Sequence, residues 1–140
     1  TVHRRGPASV SEIAAQLECA DFSNERVRDA LLIMVALGVA EPALTTAQFE
    51  HRKSRCRRLN EVLWERTRRG DHVAATAVPA TGGAVGLGAL EQLFLLALAR
   101  DEDPIKFAQT ATPNLEAAMI ANSYEAFTPH LPLLQKLGVI

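Results

Sequence analysis

One stretch constrains the fold more than any other: Leu90-Glu91-Gln92-Leu93-Phe94-Leu95-Leu96-Ala97-Leu98. Residues 89–100 read as a helix. Leu90, Leu93, Phe94, Leu95, Leu96 and Leu98 leave that helix apolar nearly all round. A helix without a polar face has to sit inside, with other elements around it. The apolar window is too short to span a bilayer. It is therefore expected to be the buried centre of a helical unit.

The rest of the chain can supply the cover. Apolar residues make up 48% of the 140, but aromatics only 5%. Ala, Leu and Val carry the apolar content, which suits helix-on-helix packing and suits a broad sheet poorly. The expected fold class is mainly α. A chain of this size buries about two-thirds of its unfolded surface, so it needs neither a disulfide nor a metal to fold.

The N-terminal part has a different organisation. Gly6-Pro7 breaks the backbone, and Ser9-Val10-Ser11-Glu12 has the spacing of a capping box. The helix that follows, to about Glu18, places Val10, Ile13, Ala14 and Leu17 on one face. Asp21 and Ser23 supply turn and cap chemistry. A second helix over 24–37 turns Val27, Ala30, Leu31, Met34 and Leu37 inward, and Gly38 stops it. Val39-Ala40-Glu41-Pro42 then reads as extended. Short helix, turn, longer helix, Gly, extended piece is the order of a winged helix. Its first helix would lie before Thr1 or include Val2-His3. Residues 1–45 are thus expected to form a partial winged-helix segment, and residues 46–140 a helical bundle able to share one core with it. The opening Thr1-Val2-His3-Arg4-Arg5 has no Met and no helix cap, as expected of a segment cut from something longer.

Thr45 or Thr46 can cap a third, long helix to about Arg69. Phe49, Cys56, Leu59 and Leu63 fall in one apolar arc. Its cations spread over most of the polar circumference, interrupted by Glu61 and Glu65. Arg52, Arg55, Arg58 and Arg66 run along one flank of the arc and form the candidate interaction surface, where guanidinium groups can pair with carboxylates on a partner. Residues 71–88 read as a connector, with extended stretches at its ends. Later helices are expected over 103–109 and 113–127, and from Pro129 or Pro132. Charge is uneven: residues 1–70 carry a net +3 and residues 71–140 a net −4. Such asymmetry can steer a partner or draw the halves together.

Sites for chemistry are scarce. The cluster Gly82-Gly83-Ala84-Val85-Gly86-Leu87-Gly88 lacks the Lys-Ser/Thr of a phosphate cradle and the third glycine of a dinucleotide fingerprint, so it reads as a turn. His3, His51, His72 and His130 have no metal-ligand spacing. Cys19 and Cys56 lack C-x-x-C spacing, and Cys56 falls on the apolar arc, where a thiol is inert. No catalytic, metal or cofactor residue is assigned, and neither a methyl donor nor a nucleotide is expected to bind. No signal segment opens the chain, which makes a cytoplasmic location, without a membrane, the default.

Several segments carry a resemblance. Gly6-Pro7-Ala8-Ser9-Val10-Ser11-Glu12-Ile13-Ala14, Val27-Arg28-Asp29-Ala30-Leu31 and Leu37-Gly38-Val39-Ala40-Glu41-Pro42-Ala43 resemble a winged-helix segment. That segment follows the catalytic domain in bacterial S-adenosylmethionine-dependent methyltransferases with a methyltransferase regulatory domain, protein lysine methyltransferases among them. Arg58-Leu59-Asn60-Glu61-Val62-Leu63 is similar to that family's post-wing helix. Val78-Pro79-Ala80-Thr81-Gly82-Gly83-Ala84-Val85 is similar to its Pro-x-Thr-Gly turn. Leu90–Leu96 and Leu131–Val139 also look similar. The resemblance implies a non-catalytic accessory or regulatory domain that acts by protein–protein docking. Its partners would be the upstream catalytic domain in cis and a protein substrate. In that family the methyl donor binds an N-terminal domain, so no donor-binding residue carries over. Pro79, Thr81, Gly82 and Gly83 match a motif whose implied role is a structural turn.

The alternative is a winged-helix transcriptional regulator that binds DNA. Its groove-facing helix would show Asn24, Glu25, Arg28 and Asp29. Two acids beside one or two arginines suit a phosphate backbone poorly. Specific nucleic-acid binding is therefore not expected.

Overall fold

A computed structural model of the chain describes residues 7–17 and 23–140. The expected roles of Val2-His3, Glu18, Cys19 and Asp21 lie outside the described residues. The chain divides into two compact units, Thr1–Ala43 and Leu44–Ile140; the boundary read from the sequence fell after residue 45. The fold is mainly α, with one small two-stranded sheet.

In the first unit, α1 spans Val10–Gln16 and α2 spans Asn24–Ala36. The capping box forms: Glu12 N–H donates to Ser9 Oγ at 3.2 Å, and Ser9 N–H donates to the Glu12 carboxylate at 2.7 Å. The Ser9 backbone N–H, and after it the Ser9 hydroxyl, hold the Glu12 carboxyl below its usual range. Ser23 caps α2, and Gly38, at φ +70, follows its end. Val27 is the buried residue of α2. Leu17 and Leu37, expected inward, are exposed, Leu37 by 72%. The inward arc drawn for α2 holds for Val27, Leu31 and Met34 but not for Ala30 or Leu37. Residues 41–45 carry no regular structure, so no strand pair of a wing forms among the described residues of this unit.

The second unit is built around α4, Ala89–Ala99. Its residues 92–97 are all buried, as an all-round apolar helix requires. Helix α3, Thr46–Arg68, packs against it, as do α5, Pro104–Ala111, and α6, Ala117–Phe127. A 3₁₀ turn, Thr128–His130, leads into α7, Leu131–Lys136. Helix α5 starts with Pro104 in its first turn behind an Asp103 cap, a position where the missing N–H costs nothing. The helix expected from Pro113 begins four residues later, at Ala117. Phe94 anchors the aromatic part of the core, edge-on to Tyr124 at 5.0 Å and tilted against Phe127 at 6.1 Å.

The connector over 71–88 is more ordered than its composition suggested. Strands β1, Thr76–Val78, and β2, Gly83–Val85, pair antiparallel as a hairpin. The Pro79-Ala80-Thr81-Gly82 turn closes it. Gly82 adopts φ +74 and donates its N–H to the Val78 carbonyl at 2.9 Å. The Thr81 hydroxyl accepts from Gly83 N–H at 3.2 Å. Pro79, Thr81, Gly82 and Gly83 thus sit together as a turn, with Pro79 buried. Leu44 N–H donates to the Ala80 carbonyl at 2.7 Å, and Ala80 N–H donates to the Leu137 carbonyl at 3.3 Å. Gly138, at φ +78, lets the chain end pass against the Phe49 ring, where a Cβ would come within 2.7 Å.

The inner face of α3 only partly follows the apolar arc drawn from the sequence: Phe49, Cys56 and Leu63 are partly buried, and the fully buried residues lie beside them. Asn60, Trp64 and Thr67, at i, i+4 and i+7, are its buried residues. Asn60 grips both backbone groups of Ala77: its Oδ1 accepts from Ala77 N–H at 2.7 Å, and its Nδ2 donates to the Ala77 carbonyl at 3.0 Å. Trp64 Nε1–H donates to Thr76 Oγ1 at 3.1 Å. Thr67 Oγ1 donates to Gln92 Oε1 at 2.6 Å, while Gln92 Nε2 donates to the Val73 carbonyl at 2.7 Å. Every buried side-chain polar atom among the described residues has a partner, as a stable interior requires. Leu59 lies off this face and is 50% exposed.

Candidate interaction surface

With the inner face of α3 fixed, its outer face follows. Arg52, Arg55, Leu59, Val62, Arg66 and Arg69 recur at alternating intervals of three and four along the solvent side. Arg58 lies beside them. Leu59 and Val62, 50% and 59% exposed, form the centre of the row, and arginines lie to both sides. The sequence places Arg52, Arg55, Arg58 and Arg66 along one flank, while the cations of the helix as a whole spread round it. Glu61 and Glu65 line the same surface as Arg58, Val62, Arg66 and Arg69, so the row has an apolar middle and mixed charge toward its C-terminal end.

The two ends of the row differ in charge balance. At the C-terminal end the cations are already matched. Arg66 Nε donates to Asp71 at 2.8 Å, and its Nη2 reaches the same oxygen. Glu65 takes hydrogen bonds from Arg68, Arg69 and Arg100. The Arg68 hydrogen bond is the main reason that the Glu65 carboxyl is held down at about 2; partial burial opposes it, and Arg69 and Arg100 add to it. At the N-terminal end, Arg52, Arg55 and Arg58 have no carboxylate within ion-pair distance among the described residues. Of the four arginines proposed from sequence, the structure leaves Arg55 and Arg58 open, lays the Arg52 guanidinium against Gly82 of the hairpin turn and closes Arg66 onto Asp71.

No family model matches the chain. Among curated proteins it is similar to the uncharacterized protein sll1526 of Synechocystis sp., 27% identical over 153 aligned positions. That similarity covers 96% of this chain and 30% of the relative, so the chain spans less than a third of the relative's length. No solved structure matches.

Other features of the described residues are quiet. No group of three or more His, Cys, Asp or Glu is placed to hold a metal. No helix is long and apolar enough to cross a membrane. Cys56 is a half-buried free thiol on the inner side of α3. Arg28 in α2 is shared by Glu25 at 3.6 Å and Asp29 at 3.2 Å, so the helix of the DNA-binding alternative spends that cation on its own carboxylates.

The Glu65 cluster gives a pH signature. A carboxyl whose folded pKa lies below its unfolded value stabilises the fold above the unfolded pKa and loses that contribution as pH falls. Stability is therefore expected to decline between about pH 4.5 and about pH 2 through this group. Urea midpoints measured across that range should fall less steeply for Glu65→Gln than for the wild type. Parallel slopes would show that the three arginines do not act on Glu65 in solution.

Proposed function

We propose that the chain is a non-catalytic accessory domain of an S-adenosylmethionine-dependent methyltransferase, acting by protein–protein docking on the catalytic part of the same polypeptide and helping to place a protein substrate. The methyltransferase assignment rests on the resemblance of the Pro79-Ala80-Thr81-Gly82 turn, the winged-helix-like segments and the post-wing helix. The docking role rests on one observation: exposed Arg55 and Arg58 on α3 without carboxylate partners, beside exposed Leu59 and Val62. The hairpin turn has a structural task here, because Ala80 bonds to both Leu44 and Leu137. Cytoplasmic location belongs to the same reading.

Two measurements test it. The reading frame that encodes this chain should carry a methyl-donor-binding motif upstream of Thr1; a start codon immediately before Thr1 would remove the catalytic partner in cis. The separately expressed upstream part should then associate with this chain at micromolar concentration. Exposed charges act mainly on association rate and its salt dependence. Arg55→Glu with Arg58→Glu is expected to slow association about tenfold, with the melting temperature of the chain nearly unchanged. Absence of association at high micromolar concentration defeats the docking role.

A further inference from the structure

We infer that the outer face of α3 is a seam for one helix of a partner protein, an acidic amphipathic helix with an apolar centre. The inference rests on the docking role proposed above and names its partner. The spacing carries the first step. Arg52, Arg55, Leu59, Val62, Arg66 and Arg69 occupy alternating three- and four-residue intervals over a stretch of about 26 Å at the helical rise. A row at that average spacing stays on one side of a helix and meets another helix along its length, crossing near 20°. Chemistry carries the second step. The middle layer, Leu59 and Val62, is aliphatic and exposed. It matches aliphatic side chains on the partner, and it gives nothing to a phosphate backbone or to a base edge. The flanking cations set the charge of the partner. Arg55 and Arg58 are open, the Arg52 guanidinium lies against Gly82 of the hairpin turn, and Arg66 and Arg69 are already held by Asp71 and Glu65. The partner's carboxylates therefore concentrate at the end of the seam near Arg55 and Arg58, which fixes the direction of the bound helix. Arginine suits such a position, because its apolar stem packs beside Leu59 while its planar head takes a carboxylate in two hydrogen bonds.

The test uses the whole chain and a synthetic helical peptide of about 18 residues, enough to cover the seam. The peptide carries Leu at its two central seam positions and Glu at the seam positions of one end. A companion peptide has Lys in place of each Glu. Binding is followed by fluorescence anisotropy at low and at physiological salt. The Glu peptide is expected to bind, and the Lys peptide to bind at least about tenfold more weakly. In Arg55→Glu with Arg58→Glu that preference should reverse. Leu59→Ser with Val62→Ser should weaken the Glu peptide by a similar factor without altering the melting temperature. Equal binding of both peptides, no reversal in the charge-swapped chain, or full competition by duplex DNA with Leu59 and Val62 indifferent would each overturn the seam. If the peptides fail while the separately expressed catalytic part still associates, docking stands and another surface carries it. If both fail, the docking role falls as well.

Discussion

At pH 7, Asn60→Asp is expected to destabilise the second unit by about 3–5 kcal/mol, the range for a buried charge left without compensation. Asn60 is fully buried and uses both halves of its amide: the oxygen accepts from Ala77 N–H and the nitrogen donates to the Ala77 carbonyl. A carboxylate can keep the first bond. In place of the second it sets one oxygen against another. Protonation restores a donor, so the folded state favours the neutral acid and the pKa of the new carboxyl rises above its unfolded value of about 3.9. A raised acid pKa means that the penalty is smallest below the unfolded pKa and grows as pH rises through the folded one. Denaturant midpoints for the variant and the wild type, compared at matched pH from about 4 to 8, should therefore diverge upward. A constant difference would mean that Asn60 fills space and does not read the strand backbone.

Phe94→Ala should cost about 3–5 kcal/mol, as for large-to-small changes in packed cores. Phe94 is fully buried at the middle of α4, and its ring meets Tyr124 and Phe127. Its loss would open a void between α4 and α6 that neither ring can refill without moving the backbone. For a unit of this size the melting temperature should fall by more than about 12 °C. Leu59→Ala provides the contrast. Leu59 was placed inward by sequence periodicity but is half exposed, so its truncation should change stability by under about 0.5 kcal/mol. Calorimetry on the two variants separates an inner residue from an outer one. Similar losses in both would contradict the orientation of α3, and with it the seam.

The core helix was legible in the sequence because its apolar content left no other place for it. The caps were legible as well: Ser9 with Glu12, Ser23, Thr45 of the Thr45-Thr46 pair, and Asp103 before Pro104 all act where local chemistry allows, while the Gln48 half of the Thr45 capping box emerged only in the structure. The face of α3 was legible only in part: Phe49, Cys56 and Leu63 of the apolar arc are partly buried, Leu59 is exposed, and the fully buried residues lie beside the arc. Periodicity weighs apolar residues, and here the inner stripe includes Asn60 and Thr67 beside Trp64, polar groups whose partners are β1 for Asn60 and Gln92 of α4 for Thr67. The available signal was the i, i+4, i+7 spacing of Asn60, Trp64 and Thr67, but nothing local says that an Asn will be buried. The hairpin was hidden for a related reason. Its strands are three residues each, and pairing across a Pro-x-Thr-Gly turn depends on the support from α3. Arg52, Arg55 and Arg58 could be named from sequence as a flank. Their isolation from carboxylates, and the closure of Arg66 by Asp71, required knowing how α3 ends.

Ala80 receives the chain from both directions: Leu44 at the start of the second unit bonds to its carbonyl, and Leu137 near the other end bonds to its N–H. Residues 44 and 137, remote in the chain, are therefore neighbours across one residue of the hairpin turn. Segments clipped to a common loop open together, so backbone amide exchange at Leu44 and at Ala80 should respond alike to any change that loosens the turn.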